Sequence, residues 1–477
     1  MHFTDLRTAV PKALRSWSNL TETADSLLTP LLIVQQELPH SIGSAPASRL
    51  ATNKILRSGI QQLQKQDPTA AQILTSRFMN GATILMTASK LNLSEDQVKR
   101  RQRSAISRLT QILWEQETAV RDNRLHTLLA RLPPPTYANL FGSQNRLDEI
   151  LDYLTCRDAP GVIAIIGQGG IGKTALADQA VRTILPHFVY QDVVWLCVYP
   201  EDGPNTVHQP DTTLQKIIND LAEYLCPQTA IANDGRIACL RQTLKNRPTL
   251  IVIDNLESEA DTAYMLDALN DWAIPSKFLL TTRVRLPASS AAYSLILNEL
   301  PLPDAANLIR AQAQSLNLTD LAQAPDALIG QIYAVTGGNP LALKLVVGLT
   351  AVLPLSQILA DLSAAKIGEI EQLYRYIYWE AWRNLGENGK ALLKMMSMTA
   401  GVGMKPEQMQ AMSGLTAQEL WPAIAELVNR SLLEVRGTTW ERRYGIHHLT
   451  ESFLRTEIIH WPDLPYSVNR NPMADNC

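Results

Sequence analysis

Apolar positions along the chain follow two different periods, which divide the sequence into parts. Up to about residue 130 they recur at helical spacing, as in "NKILRSGIQQLQKQ". Beyond the proline run "RLPPPTY", short continuous apolar runs alternate with helical stretches; these runs are "GVIAII", "DVVWLCVY", "TLIVIDN" and "KFLLTTR". Such runs are typical of parallel strands buried on both faces. The pattern therefore predicts an α/β sheet covered by helices, preceded by a helical part.

The strand pattern fades after about Leu286. "PDAANLIRAQAQSL" and "PLALKLVVGLTAVL" have helical spacing, and a further helical stretch reaches about Arg430. Two short strands follow, "SLLEVRG" and "RRYGIHHL", separated by a polar turn. Helices followed by a hairpin predict a winged helix at this end of the chain.

The loop "GQGGIGKT", residues 167–174, matches GxxxxGK(S/T) at every fixed position. It stands between a predicted strand at 162–166 and a predicted helix at 175–183. Its glycines, Gly167, Gly169, Gly170 and Gly172, allow the backbone to wrap a phosphate and to point amide groups at it. The helix that follows adds the positive end of its dipole. We therefore favour a phosphate-binding loop over a glycine-rich turn without a ligand.

The chemistry expected at this loop comes from side chains and backbone together. Lys173 can reach the β- and γ-phosphates, and the Thr174 hydroxyl can bind Mg²⁺. The backbone of Ile171 and Ala175 belongs to the same nucleotide-binding segment. Asp254 ends the run "TLIVID", so its carboxylate is expected beside the loop, where it would hold Mg²⁺ through water.

The candidates for catalysis are Asp254 and Glu257. Asn255 follows the aspartate directly, and an amide cannot act as a general base. Glu257 fits that role if the turn aims it inward; a solvated surface glutamate fits equally. We expect ATP turnover below about 1 s⁻¹, the low end of ordinary enzymes. Arg283, at the end of "KFLLTTR", either faces the γ-phosphate or is one more surface arginine.

Residues from about 139 to 454 resemble the NB-ARC module of STAND-type signalling NTPases, a group that includes plant resistance proteins and apoptotic scaffolds. "NLFGSQNRLDEIL" is similar to the entry motif, "GGNPLAL" to the GxP motif, and "YGIHHLTESFL" to the winged-helix histidine motif, in the family's order. The resemblance implies that Phe141, Gly142 and Pro340 lie near the adenine. It also implies that His447 lies near the β-phosphate of bound ADP.

Three positions depart from the family's pattern. Ser143 stands where arginine is frequent, Asn255 where many members have a second aspartate, and His448 where plant members have aspartate. The second departure favours slow hydrolysis. The third leaves two interpretations of His447, a phosphate contact or one half of a structural histidine pair.

The segment from "ILTSRFMNG" to "SRLTQIL" predicts a helix-turn-helix. One helix is expected to end near Asn80, a second covers about 82–90, "LNL" makes the turn, and a capping box at 94–97 opens a third helix. The segment resembles region four of bacterial sigma factors. The DNA-binding candidates on the third helix are Lys99, Arg100, Arg101 and Arg103. Alternatively, the segment is a helical adaptor whose charges form a solvated face.

Charge is distributed unevenly along the chain. Residues 1–135 contain 17 Lys and Arg against 10 Asp and Glu, a balance of +7, whereas the remainder carries −10. This asymmetry favours contact of the N-terminal part alone with a polyanion such as DNA. The five cysteines are scattered without a metal-binding pattern, which is typical of reduced thiols. With no signal peptide and no apolar run of membrane-spanning length, we expect a cytoplasmic protein that does not meet the membrane.

These patterns predict a multidomain α and α/β protein. The expected parts are a helical effector domain over 1–135 with the helix-turn-helix near 67–114, a P-loop nucleotide-binding domain over 137–285, a helical domain over 286–375, a winged helix over 376–460 and a flexible tail over 461–477.

The predicted function is an ATP/ADP-controlled switch with Mg²⁺, bound to ADP at rest, which regulates DNA binding. The alternative is a signalling or defence scaffold that oligomerises on ATP and uses the N-terminal domain as a protein-interaction adaptor. The resemblance further implies a sensor, which is missing, supplied by another chain or reduced to the tail.

Overall fold

The computed structural model describes residues 2–17, 27–38, 45–198, 210–227, 233–256, 259–287, 290–364, 370–397, 403–437 and 441–459. The chain divides into two compact units, Met1–Leu128 and Leu129–Cys477. The proline segment "RLPPPTY" therefore belongs to the second unit. The predicted tail at 461–477 lies outside the described residues.

The first unit is helical throughout its described part. Its helices are α1 (Phe3–Arg15), α2 (Leu32–Gln35), α3 (Ala45–Gln66), α4 (Pro68–Leu74), α5 (Ile84–Leu91) and α6 (Glu95–Leu129). A π-helical turn at Thr75–Met79 continues α4. Leucine and alanine side chains of α1, α3, α4 and α6 form the main core, and α5 packs on a smaller cluster of Ile73, Ala88 and Val98.

The segment predicted as a helix-turn-helix begins and ends its helices by recognisable caps. The Thr83 hydroxyl caps α5, and Asn92 at its end adopts a left-handed φ of 50°. Ser94 and Gln97 form the predicted capping box, with reciprocal hydrogen bonds of 3.2 and 2.9 Å. The helices and the turn lie where the pattern predicts them, except that α6 continues to Leu129. Their identification as a DNA-binding helix-turn-helix remains a prediction.

The second unit is built around a five-stranded parallel sheet. Its strands are β1 (Val162–Ile166), β2 (Asp192–Cys197), β3 (Thr249–Leu256), β4 (Lys277–Thr282) and β5 (Tyr293–Ile296). Their order is β2-β3-β4-β1-β5. Every residue of β1 and β4 is buried, because helices cover both faces. The predicted parallel α/β sheet is confirmed.

Strand β5 was not predicted, since the apolar pattern fades before it. Among the described strands it lies at the edge of the sheet, paired with β1 alone. Leu295 is its one buried residue, so the strand lacks the continuous apolar run that marks the four others. An edge strand with one buried side chain has too weak a pattern to be found by periodicity.

Helices of the second unit accompany the sheet or form a separate helical core. Those with the sheet are α7 (Gln144–Thr155), α8 (Lys173–Ile184), α9 (Pro210–Leu225), α10 (Asn233–Asn246) and α11 (Glu259–Trp272). Those of the second core are α12 (Leu302–Ser315), α13 (Thr319–Ala322), α14 (Asp326–Thr336), α15 (Pro340–Leu349), α16 (Leu355–Ala364), α17 (Ile370–Arg383), α18 (Glu387–Met396), α19 (Pro406–Ser413), α20 (Ala417–Asn429) and α21 (His448–Phe453).

An antiparallel hairpin belongs to this second core. Its strands, β6 (Glu434–Gly437) and β7 (Arg442–Gly445), lie at the two runs that predicted strands. Helix α17 is continuous across the expected domain boundary at 375/376. The description of this region as a separate winged-helix domain remains a prediction.

Membrane-spanning potential is confined to one pair of helices among the described residues. No single described helix combines the length and apolarity needed to cross a bilayer. Asp326–Thr336 and Pro340–Leu349 meet the criterion only when taken together, and they are bent against each other by 118°.

The stability of the first unit depends on one buried carboxylate, that of Glu117. It is 0% exposed and accepts the backbone N–H groups of Leu32 and Ile33 at 3.1 Å, while Arg121 donates to it at 2.6 Å. Glu117→Ala would remove the acceptor of the Leu32 and Ile33 N–H groups, of which the second is buried. We expect a loss of about 2–3 kcal/mol in the free energy of unfolding of this unit.

The measurement is denaturant unfolding of the full chain, together with hydrogen exchange of the amides at 32 and 33. Glu115→Ala is the matched control, because Glu115 is exposed on the same helix and accepts the amide of Gln111 at 3.0 Å, one turn away on the helix surface. Equal effects of the two substitutions would contradict the role given to Glu117.

Candidate nucleotide-binding site

The glycine loop joins the carboxyl end of β1 to the first turn of α8. Gly170 and Gly172 have φ values of 73° and 100°, which favour glycine. A Cβ atom at Gly170 would lie 2.7 Å from the Cβ of Leu341 and closer still to the Tyr374 hydroxyl. The loop therefore needs glycine both for its backbone conformation and for the close approach of α15 and α17.

Lys173 begins α8 and turns its ammonium group back over the loop. The side chain is buried, and its Nζ donates to the carbonyl oxygens of Gly167 at 2.8 Å and Gln168 at 2.9 Å. An ammonium group held at the mouth of such a loop is placed to exchange carbonyl oxygens for phosphate oxygens.

Asp254 lies in β3 and connects two neighbouring elements. Its Oδ1 accepts the hydroxyl of Thr174 at 2.8 Å and that of Thr281, on β4, at 2.6 Å. Burial raises the pKa of the Asp254 carboxyl, while the two hydroxyl groups and the charge of Lys173 oppose the rise.

The oxygen atoms of this group fit Mg²⁺. The ion prefers hydroxyl, carboxylate and water oxygens, and Thr174 and Asp254 present a hydroxyl and a carboxylate within 2.8 Å of each other. A divalent cation would also offset the cost of the buried negative charge. When bound, Mg²⁺ would neutralise charge on the phosphates.

Asn255 forms structural hydrogen bonds with both its backbone and its side chain. Its φ is 69°, at an irregularity in the pairing of β3 with β4. Its N–H donates to the Thr281 hydroxyl at 2.9 Å, and its Nδ2 donates to the carbonyl of Val198 at 3.1 Å. The amide therefore shapes the turn after Asp254. The other catalytic candidate, Glu257, lies outside the described residues.

A cavity of about 550 Å³ opens at the carboxyl edge of the sheet. Its walls come from the phosphate loop, the entry segment 139–143, helices α12 and α15, and the residues around the hairpin. The predicted residues that line it are Phe141, Gly142, Gly170, Ile171, Gly172, Lys173, Thr174, Ala175, Asp254, Pro340 and His447. The structure thus brings together candidates, such as Phe141 and His447, that lie about three hundred residues apart in sequence.

Three predicted residues lie outside the lining of this cavity. The carbonyl oxygens of Gly167 and Gly169 accept bonds from Lys173 and Asn339 respectively. Burial raises the pKa of Tyr374, and the charge of Arg283, which follows β4, opposes that rise. The role of Arg283 as a γ-phosphate sensor remains a prediction.

The proline segment 133–137 forms part of the cavity wall, which no motif predicted. The Tyr137 hydroxyl donates to Asp178 at 2.8 Å, and Arg182 donates to the carbonyl of Pro133 at 2.5 Å. Both partners lie on α8, the helix that carries Lys173 in its first turn. These contacts join residues 41 and 49 positions apart, so local pattern could not reveal them.

Asn339 is a second residue that sequence reasoning missed. It is fully buried, caps α15 and donates to the carbonyl of Gly169 at 3.0 Å. Asparagine followed by proline at the first helical position is a known helix-start pattern, so the cap could have been predicted. Its contact with the glycine loop could not.

The DNA-binding candidates lie in the first unit, on α6. Lys99, Arg100, Arg101 and Arg103 are all exposed. Lys99 is 3.5 Å from Asp96 and 4.0 Å from Glu95, so its charge is partly balanced on its own helix. Exposure alone does not distinguish a DNA contact from a solvated face, and the DNA-binding role remains a prediction.

Residues 143–294 match the family model of the NB-ARC domain. A region covering 45% of this chain is 25% identical to Probable disease resistance RPP8-like protein 2 of Arabidopsis thaliana, of which it covers 23%. A region covering 44% is 27% identical to an uncharacterized WD repeat-containing protein of Nostoc, of which it covers 18%. The chain thus matches less than a quarter of the length of these relatives.

Among solved structures, a Signal Transduction ATPase with Numerous Domains (STAND) protein with a tetratricopeptide repeat sensor, from Pyrococcus horikoshii, aligns with a TM-score of 0.46 and 20% identity. The alignment covers 68% of this chain and 43% of that one. The family match at residues 143–294 agrees with the glycine loop and the parallel sheet. That family implies nucleotide binding, for which Mg²⁺ is typical.

The buried carboxylate of Asp254 should lower stability when neither nucleotide nor metal is present. Because its pKa is raised in the folded chain, the folded state binds more protons than the unfolded state at mildly acidic pH, and stability falls as pH rises through that window. Asp254→Asn removes this cost. We expect the variant to be more stable than the wild type at pH 7, and the difference to vanish at a pH low enough to protonate the carboxylate in both states.

Denaturant unfolding of the nucleotide-free chain between pH 4 and pH 8 measures this difference. Asp267→Asn, which changes an exposed aspartate on α11, serves as the control. A variant that is less stable than the wild type at neutral pH would show that the carboxylate stabilises the empty site.

Proposed function

We propose that this chain is an ATP/ADP-controlled signalling switch whose cavity binds nucleotide with Mg²⁺. The observation that carries the proposal is the composition of the cavity wall. Lys173 and Thr174 come from the phosphate loop, Pro340 from the helical core, and His447 from the end of the hairpin. A ligand that contacts all four residues binds most tightly when the elements that carry them are packed around one cavity. Its binding free energy therefore favours this arrangement over any in which the walls separate.

The relatives support a defence role for this switch. Two Arabidopsis proteins that match 45% and 46% of the chain are named as disease resistance RPP8-like proteins. We therefore propose a signalling or defence scaffold that assembles with further copies when ATP replaces ADP. A sensor, on this chain or another, would trigger the exchange.

We propose that the first unit acts as a protein-interaction adaptor. Leu85 and Met86, in the first turn of α5, are 66% and 62% exposed. Exposed apolar side chains of this size suit a protein partner better than a phosphate backbone. Regulation of DNA binding through Arg100, Arg101 and Arg103 is the competing proposal, which the NB-ARC match at 143–294 does not support.

ATP turnover is proposed to be slow. Asn255 shapes the turn after Asp254 through its backbone and its amide, and an amide cannot take a proton from water. Slow turnover suits a switch, since the bound nucleotide then persists long enough to define a state.

The phosphate loop is tested by Lys173→Ala. Removal of the ammonium group deletes a charge-assisted contact with the phosphates, so affinity for ADP and for ATP with Mg²⁺ should fall by at least about tenfold to hundredfold. Isothermal calorimetry on the full chain measures this loss. Lys245→Ala, at an exposed position of α10, should leave both affinities unchanged. Wild-type affinity in a folded Lys173→Ala variant would refute the nucleotide site.

The adaptor and DNA proposals are separated by titrating the full chain with duplex DNA over a range of salt concentrations. An adaptor is expected to show no duplex binding at physiological salt, with or without nucleotide. A DNA-binding domain would show affinity that falls steeply with salt. A salt slope that flattens by about one unit in Arg100→Ala would overturn the adaptor proposal.

A further inference from the structure

The phosphate loop is held from outside by hydrogen bonds to its carbonyl groups. The carbonyl oxygen of Gly169 accepts the Asn339 amide at 3.0 Å and lies 3.3 Å from the Tyr374 hydroxyl. The carbonyl oxygen of Gly170 accepts the N–H of Leu341 at 3.2 Å. Two successive carbonyl groups of the loop are therefore bound by the helical core of the same unit.

Asn339 has a fixed orientation in this contact. Its Oδ1 accepts the N–H groups of Leu341 at 3.1 Å and Ala342 at 3.4 Å, which cap α15. The same oxygen accepts the Tyr374 hydroxyl at 2.7 Å. With three donors on Oδ1, the Nδ2 group must point at Gly169. Tyr374 thereby sets the orientation of the amide that binds the loop.

Peptide geometry links these outer contacts to the inner face of the loop. In a trans peptide the C=O and N–H groups point in opposite directions. The carbonyl of Gly169 and the N–H of Gly170 belong to one peptide, so when the carbonyl points outward the N–H points inward. In the next peptide, the outward carbonyl of Gly170 directs the N–H of Ile171 inward in the same way. Gly170 and Ile171 both line the cavity. Inward N–H groups of successive residues are what binds an anion in such a loop.

We infer that Asn339 and Tyr374 are positioning residues that hold the phosphate loop in its anion-binding conformation. The inference rests on the proposed function, because it takes a nucleotide phosphate as the anion. Nucleotide affinity would then depend on the docking of α15 and α17 against the loop. Conversely, bound nucleotide would strengthen that docking by the same factor, since such coupling is reciprocal.

Because Asn339 and Tyr374 are buried, the loss of either side chain's hydrogen bonds is expected to cost free energy. Asn339 is 0% and Tyr374 4% exposed, so water cannot replace a lost partner. Gly170 admits them because it has no side chain, and any Cβ there would collide with Tyr374 and Leu341. The glycine is thus required by the helical core as well as by the phosphate.

Two substitutions in the full chain test the inference. Tyr374→Phe keeps the buried ring and removes only the hydroxyl. Asn339→Asp keeps the oxygen that caps α15 and replaces the group that donates to Gly169. Tyr378→Phe is the matched control, because it removes a second buried hydroxyl one turn along α17. That hydroxyl accepts a hydrogen bond from the Thr450 hydroxyl at 3.2 Å and not from the loop.

Two quantities are measured for each variant: hydrogen exchange without nucleotide of the Leu341 amide, which donates to the carbonyl of Gly170, and ADP affinity by calorimetry. Tyr374→Phe is expected to speed the exchange and to weaken ADP binding by about threefold to tenfold each. Asn339→Asp should act in the same direction and more strongly. Tyr378→Phe should change neither quantity.

Unchanged exchange in Tyr374→Phe would overturn the inference, as would faster exchange with unchanged ADP affinity. Equal effects of Tyr374→Phe and Tyr378→Phe would overturn it too, because they would indicate general loosening of α17. If the Asn339→Asp variant fails to fold, the Tyr374→Phe variant still tests whether these residues hold the loop. A wild-type chain that binds no nucleotide would defeat the proposed function, whereas the exchange measurement would still decide whether these residues hold the loop.

Discussion

Parallel pairing of β4 with both β1 and β3 is the constraint on which the candidate site depends. Ile165 is paired with Thr281 across β1 and β4, and Ile253 with Leu280 across β3 and β4. Parallel strands end at the same edge of the sheet. The strand pairing is therefore enough to place the start of the glycine loop beside Asp254 and Thr281. The bond from Thr281 to Asp254 joins neighbouring strands in this register, whereas the bond from Thr174 comes from the first turn of α8. All three residues line the cavity.

The second unit then adds polar groups that a purely structural core would avoid. Asp254 and Asn339 are both buried beside the loop, and each is satisfied by several hydrogen bonds. Burying such groups costs free energy that apolar side chains would not. Departures of this kind from the most stable choice are expected at sites kept for a ligand. They occur here where the sheet core and the helical core of this unit approach the same glycine residues.

Helix α8 connects the phosphate loop with the segment that precedes the sheet. Its first turn carries Lys173, and later turns carry Asp178 and Arg182, which bind Tyr137 and Pro133. A rigid helix transmits a change at one end to the other more directly than a loop does. The proline segment is therefore held by the helix that carries Lys173 in its first turn.

The sequence by itself determined the features whose causes are local. Four of the five strands, the glycine loop and the capping box at Ser94 follow from periodicity, backbone freedom and side-chain caps, which act over a few residues. Only the tertiary structure decided that Asn339 meets Gly169, that His447 and Pro340 share a cavity with Lys173, and that Leu295 completes an edge strand. These contacts join segments far apart in sequence, and they form because whole elements pack to bury apolar surface, a condition that no short stretch of residues contains.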